Sequence, residues 1–147
     1  MPPETTLDPA IEAKVRASFA AQSAMRTIGA RLLSVRPGAV EIELPAADHI
    51  NQQQGFAHGG VIGMILDSAC GYASFTTMPL DSEVVSIEYK INFLRPAVGE
   101  RFVARGRVTR PGRTVAVAQG EVVALANGAE QTVAVMLATM AVVKAPA

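Results

Sequence analysis

From Gly59 to Phe75 the chain carries one charge, Asp67, and presents no consistent polar face. A stretch this long and apolar is either a buried helix or two strands, and its length with its Ala, Leu and Met content favours a helix. A helix without a polar face must be wrapped on most sides by other structure. The composition suits close wrapping. The chain holds 25 Ala and 17 Val, while aromatic residues make up only 5% of it. Small and β-branched side chains therefore build most of the core. At 147 residues the chain is expected to form one domain over 1–147, with a loose N-terminal tail over 1–7.

The remaining segments supply the wrapping. Asp8 and Pro9 predict a helix start, and Ile11, Val15 and Phe19 form one apolar stripe of a helix ending near Ser23. Ile28 to Val35 reads as a strand, Arg36-Pro37-Gly38-Ala39 as a turn, and Val40, Ile42 and Leu44 as the inward positions of a returning strand that Pro45 ends. Residues 46–57 are polar and loop-like. Four strands are predicted after the central helix. In the first, Val85, Ile87, Tyr89, Ile91 and Phe93 alternate with Ser86, Glu88, Lys90, Asn92 and Leu94; the others run over 101–109, 114–126 and 131–143. Pro96-Ala97-Val98-Gly99, Arg110-Pro111-Gly112-Arg113 and Asn127-Gly128 separate them as turns, so an antiparallel meander is expected. A single sheet curled around one buried helix satisfies both the helix burial and the strand count.

Several function classes are unsupported. A lone cysteine, Cys70, cannot form an internal disulfide, and His49 and His58 with it make no metal-ligand cluster. Cys70 among apolar neighbours reads as a small core residue. The N-terminus shows no signal-peptide pattern, and no apolar run approaches the roughly 18 residues of a membrane helix. A cytoplasmic protein is therefore expected, with no membrane partner and no cofactor. Nucleophile-elbow, phosphate-loop and dinucleotide-binding motifs are absent. The formal net charge is zero, yet six of the ten arginines (Arg95, Arg101, Arg105, Arg107, Arg110 and Arg113) lie between 95 and 113 with Glu100 as the only acid among them. A local basic field of this kind suits nucleotide phosphates. It is too short and too poor in aromatics for nucleic acid.

Two features of the central helix point to chemistry. A helix starting at Gly59 or Gly60 offers unpaired N–H groups and the positive end of its dipole, a site for an anion or a polarised carbonyl oxygen as well as a plain glycine turn. Asp67 is costly to bury unless paired, and suits a general base, or else faces solvent or caps a neighbour. Eight residues of helix separate Gly59 from Asp67, about 12 Å along the axis. That is too far for both to act on one carbonyl carbon. Two helices related by a two-fold would run antiparallel and bring the start of one to the middle of the other. A catalytic site built from these residues is expected to be shared between subunits.

The run Gln52, Gly55, His58-Gly59-Gly60-Val61-Ile62, then Asp67, then Tyr89, Ile91, Phe93-Leu94-Arg95-Pro96-Ala97, Gly99, and finally Gly112-Arg113-Thr114 resembles the PaaI-like group of hotdog-fold acyl-CoA thioesterases, over about residues 28–143. The resemblance implies an α+β hotdog fold, a long antiparallel sheet wrapped around a central helix. It implies two-fold dimers as the minimal active unit, usually paired into homotetramers, with the site between subunits. It also implies that the Gly59 N–H polarises a thioester carbonyl and that Asp67 of the partner subunit acts as general base or nucleophile. By the same resemblance Gln52, where many members carry Asn, orients water or carbonyl, and Ser86 assists. His58 fixes the loop, Gly60 and Phe93 contact substrate, and Arg110, Gly112, Arg113 and Thr114 contact the CoA nucleotide. The acyl group, aryl or short to medium chain, is left open. Two other readings stay open: an acyl-CoA-binding hotdog protein without turnover, against which Asp67 speaks, and an enoyl-thioester hydratase or dehydratase.

Overall fold

The computed structural model describes residues 6–147. Helix α1 (Pro9–Ala21) starts where expected: the Asp8 carboxylate accepts the Ala10 N–H at 2.8 Å, and Pro9 occupies the first turn. Leu7 lies half-buried against the core; residues 1–5 of the expected tail lie outside the described residues. The chain leaves helical geometry at Gln22 and re-enters it at once in α2 (Ser23–Ile28). The strand expected from Ile28 is thereby corrected. Ile28 ends α2, Gly29 closes it in the left-handed region at φ +83°, and β1 covers Arg31–Arg36. Six residues are too few to display a helical period in sequence. What holds α2 is the burial of Met25 and Ile28 in the core.

Strand β1 pairs with β2 (Ala39–Pro45) through the Pro37-Gly38 turn. After helix α3 (Gly59–Phe75) come β3 (Ser82–Phe93), β4 (Arg101–Arg110), β5 (Val115–Ala126) and β6 (Ala129–Lys144). The sheet order is β1-β2-β4-β5-β6-β3, antiparallel throughout. The meander holds for β4, β5 and β6. Strand β3 is the correction: it does not neighbour β4 but lies at the far edge, paired along nearly its whole length with β6. Local turn chemistry separates β3 from β4 but carries no information on the crossing made by residues 94–100.

Helix α3 lies across one face of this sheet. Gly106 and Gly120, directly paired between β4 and β5, form its seat. A Cβ at Gly106 would overlap the backbone of Ala69 and Cys70, and one at Gly120 would lie 2.8 Å from Leu66 Cδ1. Backbone-to-backbone approach this close needs residues without side chains. Ile62, Ile65, Leu66, Ala69 and Ala73 are buried against Ile42, Leu44, Phe102, Ala118, Val122 and Met140. One stripe of α3 stays less covered, namely Gly60, Val61, Met64, Asp67 and Ser68, at helical spacing. The result is the α+β hotdog architecture.

Candidate active site

The start of α3 is held by its own loop. His58 N–H donates to Ile50 O at 2.9 Å, and Ala57 N–H to Ala97 O at 3.2 Å. His58 is the N-cap residue. Its Nδ1 accepts the Gly60 N–H at 2.8 Å, and its carbonyl accepts from Val61 and Ile62 at 3.0 and 3.1 Å. A helix start has four orphan N–H groups. Three are satisfied in this way, and among the described residues the Gly59 N–H has no acceptor. Gly60 therefore spends its N–H on His58, and Gly59 presents one outward. The Phe93 ring lies against Gly59, where a Cβ would sit 3.1 Å from Phe93 Cζ. Phe56, Ile62, Phe93, Pro96, Ala97 and Val133 with Gly59 line a mostly apolar cavity of about 160 Å³ beside this N–H, with Arg95 as its one charged lining residue. Gln52 stands on the same loop. Its Nε2 donates to Gln54 Oε1 at 3.0 Å and its Oε1 accepts the Gln54 N–H, so its amide is turned onto the loop itself.

Asp67 is half-buried on the less covered stripe, and Ser86 Oγ donates to its Oδ1 at 2.7 Å. An irregularity in β3 makes this contact. Ser86 pairs with Met140 and Glu88 with Thr139, leaving Ile87 as an extra residue, a β-bulge. The bulge shifts the side-chain parity. Ser86 faces α3 before it, and Tyr89, Ile91 and Phe93 face Gly63 and Gly59 after it. The unbroken alternation expected over 85–93 is corrected accordingly: Val85 and Ser86 exchange faces relative to that pattern.

Around Asp67 is a second cavity of about 180 Å³, lined among others by Ser18, Gln22, Ser68, Tyr72, Glu83 and Ser86. Gln22 bridges two α3 residues: Ser68 Oγ donates to its Oε1 at 3.2 Å and its Nε2 donates to Tyr72 Oη at 3.2 Å. Ser18 Oγ also lies 3.2 Å from Tyr72 Oη. Burial pushes the Tyr72 phenol up from its ordinary value, against the lowering effect of the Ser18 and Gln22 hydrogen bonds. Sequence reasoning missed Ser18, Gln22 and Ser68. The one signal available was the i, i+4 spacing of Ser68 and Tyr72 beside Asp67. Cys70 is fully buried, and burial with the Asp67 charge pushes its thiol up to about 12.

Two of the six arginines in the basic field expected over 95–113 are neutralised, which corrects the charge map in part. Glu41 (3.2 Å), Glu121 (3.7 Å) and Glu130 (2.5 Å), from β2, β5 and β6, surround the Arg105 guanidinium, and Arg101 pairs with Glu43 at 2.8 Å. These acids are distant in sequence and adjacent in the sheet. Among the described residues Arg95, Arg107, Arg110 and Arg113 make no ion pair. The loop Arg110–Thr114 sits beside the start of β3: Thr114 O accepts the Val142 N–H at 2.9 Å, and Val142 pairs with Val84.

The expected site residues therefore fall into three places. Gly59, Gly60, His58 and Phe93 meet at the start of α3; Asp67 meets Ser86 at its middle; Arg110, Gly112, Arg113 and Thr114 lie at the opposite end of β3 from Phe93. Within one protomer the first two places stay apart by eight residues of α3, about 12 Å. Among the described residues no three His, Cys, Asp or Glu side chains converge as a metal site, and no helix is long and apolar enough to cross a membrane.

Comparison with known proteins bears on the family and the fold. The sequence model of the thioesterase superfamily matches residues 54–130, which include both Gly59 and Asp67. A protein named as an esterase in Saccharolobus solfataricus is 30% identical over 101 residues, 69% of this chain and 71% of that protein. The medium/long-chain acyl-CoA thioesterase YigI of Escherichia coli is 34% identical over 84 residues, 48% of this chain and 54% of that protein. The crystal structure of a thioesterase family protein from Silicibacter pomeroyi superposes with a TM-score of 0.90 at 45% identity, covering 91% of this chain and 98% of that one. The PaaI protein of Escherichia coli, at 20% identity and a TM-score of 0.83 over 95% of this chain and 98% of that one, shares the fold. By the family match and the architecture together, the chain belongs to the thioesterase superfamily and is a hotdog-fold thioester hydrolase.

Proposed function

We propose that the protein hydrolyses acyl-CoA thioesters at a site shared by two protomers of a homodimer. The observation that carries this reading is the division of labour along α3. One unpaired N–H stands at Gly59, one hydroxyl-paired carboxylate stands at Asp67, and about 12 Å of helix lies between them. The half-covered stripe of α3 supports it, as does the edge strand β3, on which Val85, Ile87, Tyr89 and Phe93 are 43–55% exposed. A long apolar edge strand invites pairing with another copy. A two-fold that pairs β3 with β3 sets the two α3 helices antiparallel, so Gly59 of one protomer approaches Asp67 of the partner subunit. Pairs of such dimers form the tetramer. Each protomer is a single domain in this reading.

The thioester carbonyl oxygen accepts the Gly59 N–H, where the helix dipole and the apolar surroundings strengthen the bond in the transition state. His58 keeps that N–H available by capping Gly60 instead. The partner's Asp67, held by Ser86, takes a proton from water as the water oxygen attacks the carbonyl carbon. The tetrahedral intermediate collapses, the C–S bond breaks, and the thiolate leaves as CoA. Gln52 frees its amide from Gln54 to orient the carbonyl or the water. The cavity beside Gly59 takes an aryl or short to medium acyl group, and Arg110 and Arg113, with Gly112 and Thr114, meet the CoA phosphates. The acyl-CoA class draws support from the name of the Escherichia coli relative. Asp67→Asn tests the reading. Free-thiol release from acyl-CoA substrates falls by about 10²–10⁴-fold with oligomer size unchanged; wild-type turnover in that variant would refute it.

A further inference from the structure

We propose that the polar cavity beside Asp67 holds the attacking water, and that Gln22, at the junction of α1 and α2, is a positioning residue for it. The proposal rests on the reading of Asp67 as a general base. The cavity has room for water: about 180 Å³, against about 30 Å³ for each molecule of the liquid. It also has spare hydrogen-bonding capacity. Asp67 Oδ1 is taken by Ser86, while Oδ2 has no partner among the described residues. Gln22 uses one Nε2 hydrogen on Tyr72 and one lone pair of Oε1 on Ser68, leaving its second N–H and a second lone pair unused. Ser68 spends its proton on Gln22 and keeps its lone pairs for a donor.

A held water needs two to four polar partners. Asp67 Oδ2 with the free groups of Gln22 and Ser68 supplies them on the walls of one cavity. Gln22 is itself fixed by its bonds to two residues of α3, so its free amide hydrogen points from a rigid support. The nearby acid, Glu83, also lines this cavity and adds a second acceptor on the β3 side. The arrangement accounts for the three polar contacts that Ser18 of α1 and Gln22 just after it make with the turn of α3 that follows Asp67.

The test compares Gln22→Met with wild type in the full-length protein, using acyl-CoA turnover with hydroxylamine as a competing nucleophile. Hydroxylamine attacks the same bound thioester, forming the acyl hydroxamate as the C–S bond breaks and CoA leaves, so it does not depend on a positioned water. The variant is expected to lose about tenfold in kcat for hydrolysis, with KM held within about twofold. Its hydroxamate-to-acid ratio, after subtraction of the enzyme-free reaction, is expected to rise. An unchanged kcat, or a fall in acid and hydroxamate together at a constant ratio, overturns the proposal; the second result means Gln22 is only structural. If Gln22→Met does not fold, Ser68→Ala, which removes the partner of Gln22 Oε1 with a good helix former, reads the same ratio with the same expectation. The general-base reading is judged separately. It fails if Asp67→Asn retains activity, whereas the water site fails if Asp67 is essential and Gln22 is not.

Discussion

Ser86 Oγ donates to Asp67 Oδ1 at 2.7 Å, across nineteen positions of sequence and from the edge strand to the middle of the central helix. The bond exists because Ile87 is an extra residue in β3. With regular pairing, either Ser86 or the Tyr89–Ile91–Phe93 face would point away from α3. The bulge lets one strand present a hydroxyl to Asp67 and an aromatic ring to Gly59.

Ser86→Ala removes this charge-assisted bond. Such bonds contribute roughly 1.5–3 kcal/mol, so kcat is expected to fall by about 10- to 150-fold, with little change in KM. Steady-state thiol release measures both. Ser86→Thr keeps the hydroxyl and should restore most of the rate.

Gly106→Ala places a methyl group against the Ala69 and Cys70 backbone. Neither the helix nor the sheet can give there, because Gly106 is paired with Val40 on one side and Gly120 on the other. Overpacking of a rigid core costs about 1–3 kcal/mol or more. Equilibrium denaturation should show a lower midpoint with an unchanged slope.

Cys70 makes a pH prediction. Its thiol is raised from 9.0 to about 12 by burial first and by the Asp67 charge second. The folded state favours the neutral thiol, so its contribution to stability is complete below pH 9 and is lost as pH rises from about 9 to about 12. Within that window this group lowers the unfolding free energy by at most about 1.4 kcal/mol per pH unit. A thiol reagent at pH 8 should leave the native protein unlabelled and label it on unfolding; rapid labelling of the native state would contradict the burial.

Much of this molecule was legible in its residues. The bounds of α3 followed from an apolar run opened by two glycines, and the β1–β2 hairpin and the β4–β5–β6 meander followed from Pro-Gly and Asn-Gly turns. The separation of Gly59 from Asp67 followed from helical rise alone. What escaped was set by contacts between distant segments. β3 joins β6 because of sheet closure, which no local turn encodes. The arginines at 101 and 105 looked unopposed because Glu41, Glu43, Glu121 and Glu130 reach them only through strand pairing. Gln22 meets Tyr72 and Ser68 across about fifty residues, with no periodicity to announce it.

The central claim is that each site takes its N–H from one chain and its carboxylate from another, and a mixing experiment tests it most directly. Gly59→Pro deletes the N–H and sets a Cβ 3.1 Å from Phe93 Cζ, a crowding that the half-exposed Phe93 ring relieves by a shift of tenths of an ångström. Proline is favoured at the first helical position, and His58, at φ −62° and ψ 135°, already has the extended backbone that a following proline requires. Gly59→Pro and Asp67→Asn are each expected to be inactive alone. Unfolded together in equal amounts and refolded, they form heterodimers in which one of the two sites has both an intact Gly59 and an intact Asp67. Thiol release recovering to roughly a quarter of the wild-type rate is the predicted result, since about half the dimers are mixed. A mixture that forms heterodimers yet stays as inactive as its parents would place both groups in one chain and contradict the account.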